Sequence, residues 1–205
     1  MTLSAPKAVV FDLGKVLLDF DYGILIRRMA PRSRLNEAGL NRLLNQAPLL
    51  LRYERGSLST AEFFAEVQRD SGFDGSVDEF TAFFADIFTP IEPMIALHAR
   101  LRSRGVPTYI FSNTNEIAIA HIRRVFPFFA GFSGYVLSYE HNAMKPDAAL
   151  YSTVEQATGM RGADLLYLDD RPENVTAGAA RGWHAILHQE PSATEEAVRV
   201  TGLLG

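Results

Sequence analysis

The sequence predicts an α/β fold in which helices cover both faces of a parallel β-sheet, a three-layer α/β/α arrangement. Short apolar runs alternate with segments of helical periodicity, which is typical of successive β–α–β units. The first run ends at Asp12, and four more follow residue 105, whereas the long stretch between them is helical in pattern. We therefore predict a core domain of residues 1–17 and 91–205 and a four-helix cap, residues 18–90, inserted after the first strand.

The composition of the chain limits the classes of function it can have. The 205 residues carry a net charge of −4 and are 47% hydrophobic, as expected of a globular chain with one sizeable core. An acidic chain gives no indication of a nucleic-acid or membrane partner. With no cysteine, disulfides, thiolate catalysis and cysteine-based zinc sites are excluded. No apolar run has transmembrane length and residues 1–7 lack signal-peptide features, so we expect a cytoplasmic protein. The sequence does not indicate an oligomeric state.

The insertion has recognisable helix starts. The residues placed to cap its four predicted helices are Asp21, Asn36, Ser59 and Ser76. The last two are followed three residues later by glutamate, which completes the capping-box pattern. Phenylalanines recur at helical spacing in these segments, and we interpret them as core residues rather than as the lining of a ligand cavity.

The remainder of the chain alternates regularly. The predicted strands after the first are residues 108–111, 134–138, 165–168 and 183–187. The predicted helices start near Pro93, Glu116, Asp147, Pro172 and Ser192. Single helices between consecutive strands predict parallel pairing.

Polar side chains stand at the ends of three of these strands. Asp12 follows the first strand, Ser112 and Asn113 end the second, and the pair Asp169–Asp170 ends the fourth. Each has an ordinary explanation in turn or capping chemistry, but the carboxyl ends of parallel strands gather at one edge of a sheet. Lys145, just before a predicted helix, adds an ammonium group. We expect these groups to face one another.

Clustered carboxylates require a balancing cation. Each carboxylate raises the cost of ionising the others, and oxygen ligands without histidine or cysteine favour Mg²⁺. Magnesium held by few carboxylates commonly also meets a phosphate, which Lys145 and the Ser112 hydroxyl would bind. The pattern thus predicts phosphoryl transfer, with a carboxylate as nucleophile. The histidines at positions 98, 121, 141, 184 and 188 form no zinc-binding motif.

Four motifs in order resemble the haloacid dehalogenase superfamily of hydrolases over essentially the whole chain. They are Asp12-Leu13-Gly14-Lys15-Val16 after an apolar strand, Ser112 at the next strand end, Lys145 before Pro146, and the pair Asp169-Asp170. The resemblance implies a Rossmann-like core with the first type of cap. The opening motif and Tyr53-Glu54-Arg55-Gly56 look most like small sugar-phosphate phosphatases, including α-glucose-1-phosphatase-like proteins.

The resemblance implies a role for each matching residue. Asp12 would attack phosphorus and form an aspartyl phosphate. The phosphoryl group would be held by the amides of Leu13, Gly14 and Asn113 together with Ser112 and Lys145. Magnesium would be bound by the Asp12 carboxylate, the Gly14 carbonyl and Asp170, with Asp169 either a ligand or a partner of one; Asn174 would orient this loop or the metal-bound water. The implied substrate is a small phosphorylated metabolite, with sugar phosphates among the candidates.

One position departs from the family pattern. Gly14 stands where a second aspartate normally protonates the leaving alcohol and activates water, and general acid–base help is typically worth about 10²–10⁴-fold. Asp19 and Asp21 are nearby acids, although we interpret both as helix-entry or hairpin residues. Two alternatives stay open on this ground: a 2-haloacid dehalogenase, whose leaving halide needs no proton, and a weakly active relative with a binding or regulatory role. A phosphomutase would depend on the missing acid.

Arg52, Tyr53 and Arg55 are candidate substrate contacts from the insertion. For each arginine taken alone, a surface charge is the simpler interpretation. Specificity is expected to lie in the insertion, but periodicity does not fix which of its side chains face Asp12.

Overall fold

The computed structural model describes residues 5–45 and 47–204. Its strands are β1 (Ala8–Phe11), β2 (Leu18–Phe20), β3 (Phe88–Pro90), β4 (Thr108–Ser112), β5 (Gly134–Leu137), β6 (Leu165–Asp169) and β7 (His184–Leu187). Its helices are α1 (Tyr22–Met29), α2 (Glu37–Leu44), α3 (Pro48–Glu54), α4 (Thr60–Ser71), α5 (Val77–Ala85), α6 (Glu92–Ser103), α7 (Glu116–Val125), α8 (Ser138–His141), α9 (Ala148–Thr158), α10 (Pro172–Ala180) and α11 (Pro191–Val200).

The core is a five-stranded parallel sheet in the order β5-β4-β1-β6-β7, with helices on both faces, which confirms the predicted fold class. The central strand β1 shows why. Its four side chains are fully buried and alternate between the two faces. Val9 and Phe11 pack in the apolar cluster that includes α6 and α7, whereas Ala8 and Val10 pack in the cluster that includes α9.

The predicted count of four helices in the insertion is wrong, because residues 18–90 contain five described α-helices, α1 to α5. The additional helix, α3, has proline at its start and no side-chain cap, and it is only seven residues long. It therefore lacks the capping signal on which the other four predictions rest. Leu49, Leu50 and Tyr53 are its buried residues.

The predicted helix starts in the insertion are confirmed. Asp21 and Asn36 accept hydrogen bonds from backbone amides in the first turns of α1 and α2. Ser59 and Ser76 form complete capping boxes with the glutamates three residues later. The interpretation of Asp21 as a helix-entry residue therefore holds.

A short antiparallel ribbon joins the insertion to the core. Strand β2 pairs with β3, so that Asp19 lies opposite Thr89 and Phe20 opposite Phe88. Neither strand was predicted, since three residues are too few to establish alternation, but the position of Asp19 in this ribbon agrees with its interpretation as a helix-entry or hairpin residue. The two segments that connect the insertion to the core therefore lie side by side.

Most apolar side chains of the insertion form a cluster of their own. Its buried members lie between Leu25 and Ile87, with only Ile117 of α7 added from the core. Of the phenylalanines predicted to fill this core, Phe63, Phe80 and Phe84 are fully buried in it, whereas Phe64 and Phe83 are partly buried and pack against it. The division into a core domain and a cap domain stays a prediction. Among the described residues, no helix has the length and apolarity needed to cross a membrane.

Candidate active site

The polar residues predicted from the strand ends come together at one edge of the sheet. In register, Phe11 of β1 pairs with Leu168 of β6, so the residues that follow, Asp12 and Asp169, are neighbours. Ligand oxygens of Asp12, Asp169 and Asp170 all lie within 4.8 Å of one another. Asp12 is 7% exposed and Asp169 is fully buried, so most of this charge is removed from solvent.

Lys145 completes this cluster. Its Nζ lies 2.9 Å from Asp12 Oδ1 and 2.6 Å from Asp169 Oδ2, and it donates a third contact to the Phe111 carbonyl at 2.9 Å. The aromatic faces of Phe111 and Tyr167 lie beneath the ammonium, 5.1 and 5.9 Å from it. Its three donors are therefore aimed at protein oxygens.

Each carboxylate oxygen of Asp169 accepts two hydrogen bonds. Oδ2 accepts from Lys145 and from the Tyr167 hydroxyl at 2.5 Å, and Oδ1 accepts from the Arg171 amide and Asn174 Nδ2. A carboxylate has about four acceptor positions, so those of Asp169 are used. Asp169 thus orients Lys145 within the site. Tyr167 was not predicted as a site residue, although the two-residue period of a strand places it on the same face as Asp169.

The buried carboxyl groups differ in pKa. Burial raises the pKa of Asp12 to about 8; Lys145 acts in the opposite direction and the charge of Asp169 adds to the rise. Burial also acts to raise the pKa of Asp169, but the ion pair with Lys145 outweighs it and leaves that pKa below the ordinary value. One ammonium does not balance three carboxylates, so a further cation would favour the ionised form of Asp12.

The residues present fit a magnesium ion. Magnesium prefers hard oxygen ligands and is commonly bound by one or two carboxylates together with a phosphate. Because the acceptor positions of Asp169 are occupied, Asp12 and Asp170 are the carboxylates that would bind the ion directly. The Gly14 carbonyl stays a predicted ligand.

The loops that follow β4 and precede α9 are tied to each other. Asn113 Nδ2 donates to the Lys145 carbonyl at 3.0 Å, and the Lys145 amide donates to Asn113 Oδ1 at 2.7 Å. Ser112, at the end of β4, is buried, and its hydroxyl donates to the Asn113 carbonyl. The side chain of Asn113 therefore places Lys145, while the phosphate contacts predicted for Ser112 and for the Leu13, Gly14 and Asn113 amides stay predictions.

A cavity lies beside this cluster, next to Gly14. It contains about 420 Å³ of space not occupied by atoms, including solvent-open space, and is bordered by Gly14, Ser112, Asn113 and Glu54. The remainder of its wall is largely apolar, with Phe20, Tyr22, Phe88 and Ile122 among the contributors. A Cβ built on Gly14 would lie 2.9 Å from Phe20 Cε1. The Phe20 ring therefore occupies the space that the Cβ of a larger residue at position 14 would need.

The family model for haloacid dehalogenase-like hydrolases matches residues 6–182, most of the chain. The chain belongs to this family. The match confirms the resemblance inferred from the four motifs.

Three relatives illustrate the likeness. A sesquiterpene phosphatase, astK of Aspergillus oryzae, is 25% identical over 179 residues, 86% of either chain. A predicted HAD-like family hydrolase from Porphyromonas gingivalis has a TM-score of 0.79 at 22% identity, covering 95% of this chain and 98% of that one. A HAD family enzyme of Bacteroides thetaiotaomicron in complex with magnesium and inorganic phosphate has a TM-score of 0.75 at 22% identity, covering 90% and 94%. The structural likenesses show a shared fold.

In this haloacid dehalogenase-like hydrolase, the end of α3 is bound to the core at several points. The Ser138 hydroxyl donates to the Glu54 carbonyl at 2.5 Å, and the Ile117 amide donates to the Tyr53 hydroxyl at 3.3 Å. Gly56 has a φ of +84°, and a Cβ there would lie 2.2 Å from the Tyr139 carbonyl oxygen. The backbone of this segment therefore approaches the core as closely as glycine allows.

The candidate substrate contacts from this segment are not in the cavity wall. Arg52 pairs with Glu66 at 2.8 Å, and Arg55 pairs with Asp147 at 2.9 Å. Tyr53 is buried and stacks on Phe63 with a centroid distance of 4.3 Å. Each of the three residues thus has a protein partner, and the exposed ion pairs agree with the interpretation of the arginines as surface charges. Contact of these residues with substrate stays a prediction.

Replacing Gly56 with alanine is expected to loosen α3 from the core. The new Cβ would overlap the Tyr139 carbonyl, and a non-glycine residue at positive φ costs about 1–3 kcal/mol. Thermal unfolding should show a lower melting temperature for Gly56→Ala than for Gly105→Ala. Gly105 is a matched control, because it has a φ of +75° and no atom within 4 Å of the new Cβ. Equal losses for the two variants would contradict the role given to this contact.

Proposed function

We propose that this hydrolase is a magnesium-dependent phosphatase acting on a small phosphate monoester, with Asp12 as the nucleophile. The observation that carries the proposal is the meeting of Asp12, Asp170, Asp169 and Lys145 at one edge of the sheet. A nucleophilic carboxylate, hard-cation ligands and a fixed positive charge are what phosphoryl transfer through an aspartyl phosphate requires. The name of the curated relative supports a phosphatase.

Each group has a defined part in the proposed reaction. Magnesium, held by Asp12 and Asp170, would neutralise negative charge on the phosphoryl oxygens and keep the Asp12 carboxylate ionised. Asp12 attacks phosphorus with one carboxylate oxygen, and the bond from phosphorus to the leaving oxygen breaks. Lys145, held in place by Asp169, stabilises charge as it develops on the phosphoryl group. Water then attacks phosphorus, which releases inorganic phosphate and restores Asp12.

The cavity favours an apolar organic group on the phosphate. A sugar would need hydrogen-bond partners for several hydroxyl groups, whereas much of the cavity wall is aromatic or aliphatic. Phe20, Tyr22 and Phe88 come from the ribbon and the first helix of the insertion, which would thus act as a cap and contribute to specificity. The sesquiterpene phosphatase named above has an apolar substrate class by its name, and we extend that class to this chain in preference to sugar phosphates.

The test is hydrolysis of 4-nitrophenyl phosphate with magnesium and with excess chelator. This substrate has a good leaving group and needs little acid assistance, so turnover should require magnesium and should not depend on the residue at position 14. A panel of prenyl, alkyl and sugar phosphates then ranks the substrate classes. Absence of magnesium-stimulated turnover with every phosphate would refute the proposal, and halide release from a 2-haloacid would favour a dehalogenase.

A further inference from the structure

Because Gly14 has no side chain, the first motif supplies no proton donor to the leaving oxygen of a substrate. The Phe20 ring fills the adjacent space, with Phe20 Cε1 2.9 Å from a Cβ built on Gly14. Tyr22 packs edge-on against that ring at 5.7 Å. The site is therefore shaped around the absence of an acid here, and a proton donor must come from another element.

Most nearby carboxyl groups are already engaged. Asp19 forms an ion pair with Lys15, and Asp21 caps α1 and pairs with Arg27. Asp169 has its acceptor positions filled, while Asp170 is a carboxylate that would bind the cation. None of these four is free to exchange a proton with a leaving group.

Glu54 differs from them in each respect. It borders the same cavity as Gly14, Ser112 and Asn113, and it is the one carboxylic residue among the described residues of that wall. Its backbone is fixed to the core, because its carbonyl accepts from Ser138 and its neighbours Tyr53 and Gly56 touch α7 and α8. Within residues 5–45 and 47–204, its carboxyl group has no hydrogen bond or ion pair.

The surroundings of Glu54 favour a carboxyl group that holds a proton near neutral pH. Burial raises the pKa of Glu54 to about 7, and the positive charge of Arg171, in the loop after β6, acts in the opposite direction. Tyr22 of α1 is the other titratable side chain of the cavity wall, and burial followed by the charge of Glu54 raises its pKa, so it stays neutral. A general acid works best with a pKa close to the working pH.

We propose that Glu54 is the general acid and base of the reaction, supplied by the insertion in place of the missing acid at Gly14. As Asp12 attacks phosphorus, the Glu54 carboxyl gives its proton to the leaving oxygen, which departs as an alcohol. The resulting Glu54 carboxylate then takes a proton from water, whose oxygen attacks phosphorus and breaks its bond to Asp12. Phosphate leaves, and both residues return to their starting states. This assignment rests on the proposed function.

The test compares the full chain with Glu54→Gln on two substrates, 4-nitrophenyl phosphate and an alkyl phosphate. The alkyl phosphate has a poor leaving group, so its kcat/KM, which reports phosphoryl transfer to Asp12 and release of the alcohol, should fall by roughly 10²–10⁴-fold, whereas kcat/KM for the nitrophenyl ester should change by less than about tenfold. The kcat values of both substrates should fall, because both share the hydrolysis of the aspartyl phosphate, in which Glu54 acts as the base. With the wild-type chain, kcat/KM for the alkyl phosphate should decline as pH rises above about 7, where Glu54 loses its proton, and the variant should lack this decline. Glu37→Gln, an exposed glutamate in the same insertion, is the matched control.

A purely structural role for Glu54 would lower kcat/KM for the two substrates by the same factor and leave the pH profile unchanged, which would overturn the assignment. So would a wild-type chain that hydrolyses the nitrophenyl ester but no alkyl phosphate. Glu54→Asp, which keeps the carboxyl group, should retain more of the alkyl-phosphate rate than Glu54→Gln. Failure of the proposed function is distinguishable, because nitrophenyl turnover would then be absent or independent of Asp12.

Discussion

Replacing Asp12 with asparagine is expected to remove phosphatase turnover while leaving the fold intact. The amide is nearly the same size but is a poor nucleophile, and loss of the nucleophile in enzymes with covalent intermediates costs on the order of 10⁴–10⁶-fold in kcat. The loss should be equally large for 4-nitrophenyl and alkyl phosphates, because a good leaving group does not replace a nucleophile. This pattern separates Asp12 from Glu54, whose effect should depend on the leaving group.

Folding of Asp12→Asn can be checked by thermal unfolding in chelator. Burial raises the pKa of Asp12 to about 8, so near pH 7 the metal-free carboxyl is mostly protonated and its neutral replacement costs little. The sign follows from the direction of the shift. A raised carboxyl pKa makes the metal-free wild type less stable as pH rises from about 4 to about 8, and this decline should be weaker in the variant. Retained turnover in a folded Asp12→Asn protein would refute the assigned nucleophile.

Replacing Lys145 with methionine should have the largest effect on stability. The ammonium lies 2.9 Å from Asp12 and 2.6 Å from Asp169, and its side chain is 1% exposed. Removing one partner of a buried ion pair leaves an uncompensated charge and costs about 3–5 kcal/mol, even though methionine roughly preserves the volume. Denaturant unfolding at pH 7 measures the difference, and turnover should be lost as well.

The pH dependence of this loss provides an internal check. Lys145 holds the pKa of Asp169 below its ordinary value of 3.8, so the stabilisation is present above that pH and disappears as pH falls through the lower folded pKa. The gap between wild type and Lys145→Met should therefore narrow in acid. Lys7→Met is the control, because Lys7 pairs with Asp164 at 3.1 Å but is 62% exposed, and exposed pairs contribute about 0–1 kcal/mol. Similar losses for the two variants would contradict the buried-pair argument.

Much of the fold and the clustering of the site were accessible from the sequence, because they depend on strong local signals. Continuous apolar runs identified the five strands of the parallel sheet, and parallel pairing forces their carboxyl ends to one edge. That geometry was enough to predict that Asp12, Asp169 and Lys145 meet, as they do. Side-chain caps located four helices of the insertion.

The parts that were missed depend on long-range contacts or weak local signals. Helix α3 has no cap, and the ribbon strands are too short for periodicity, so neither was predicted. As a result, Arg52, Tyr53 and Arg55 were chosen as the candidate substrate contacts of this segment. The residue of the segment that borders the cavity is Glu54. Which side of a short helix faces the site depends on how the Glu54 carbonyl meets Ser138 and how Gly56 meets Tyr139, and these contacts join positions more than eighty residues apart.

The β2–β3 ribbon has a consequence for how this architecture can diversify. Adjacent strands lie about 4.8 Å apart, so the helices between Phe20 and Phe88 leave and re-enter the core at nearly one point. An insertion attached in this way can change in length or helix number without displacing the sheet that carries Asp12 and Asp169, as in grafting at a surface loop. If the acid resides on Glu54, such an exchange alters the leaving group that can be protonated along with the substrate that fits. The insertion would then carry both the residues that select the alcohol and the acid that assists its departure.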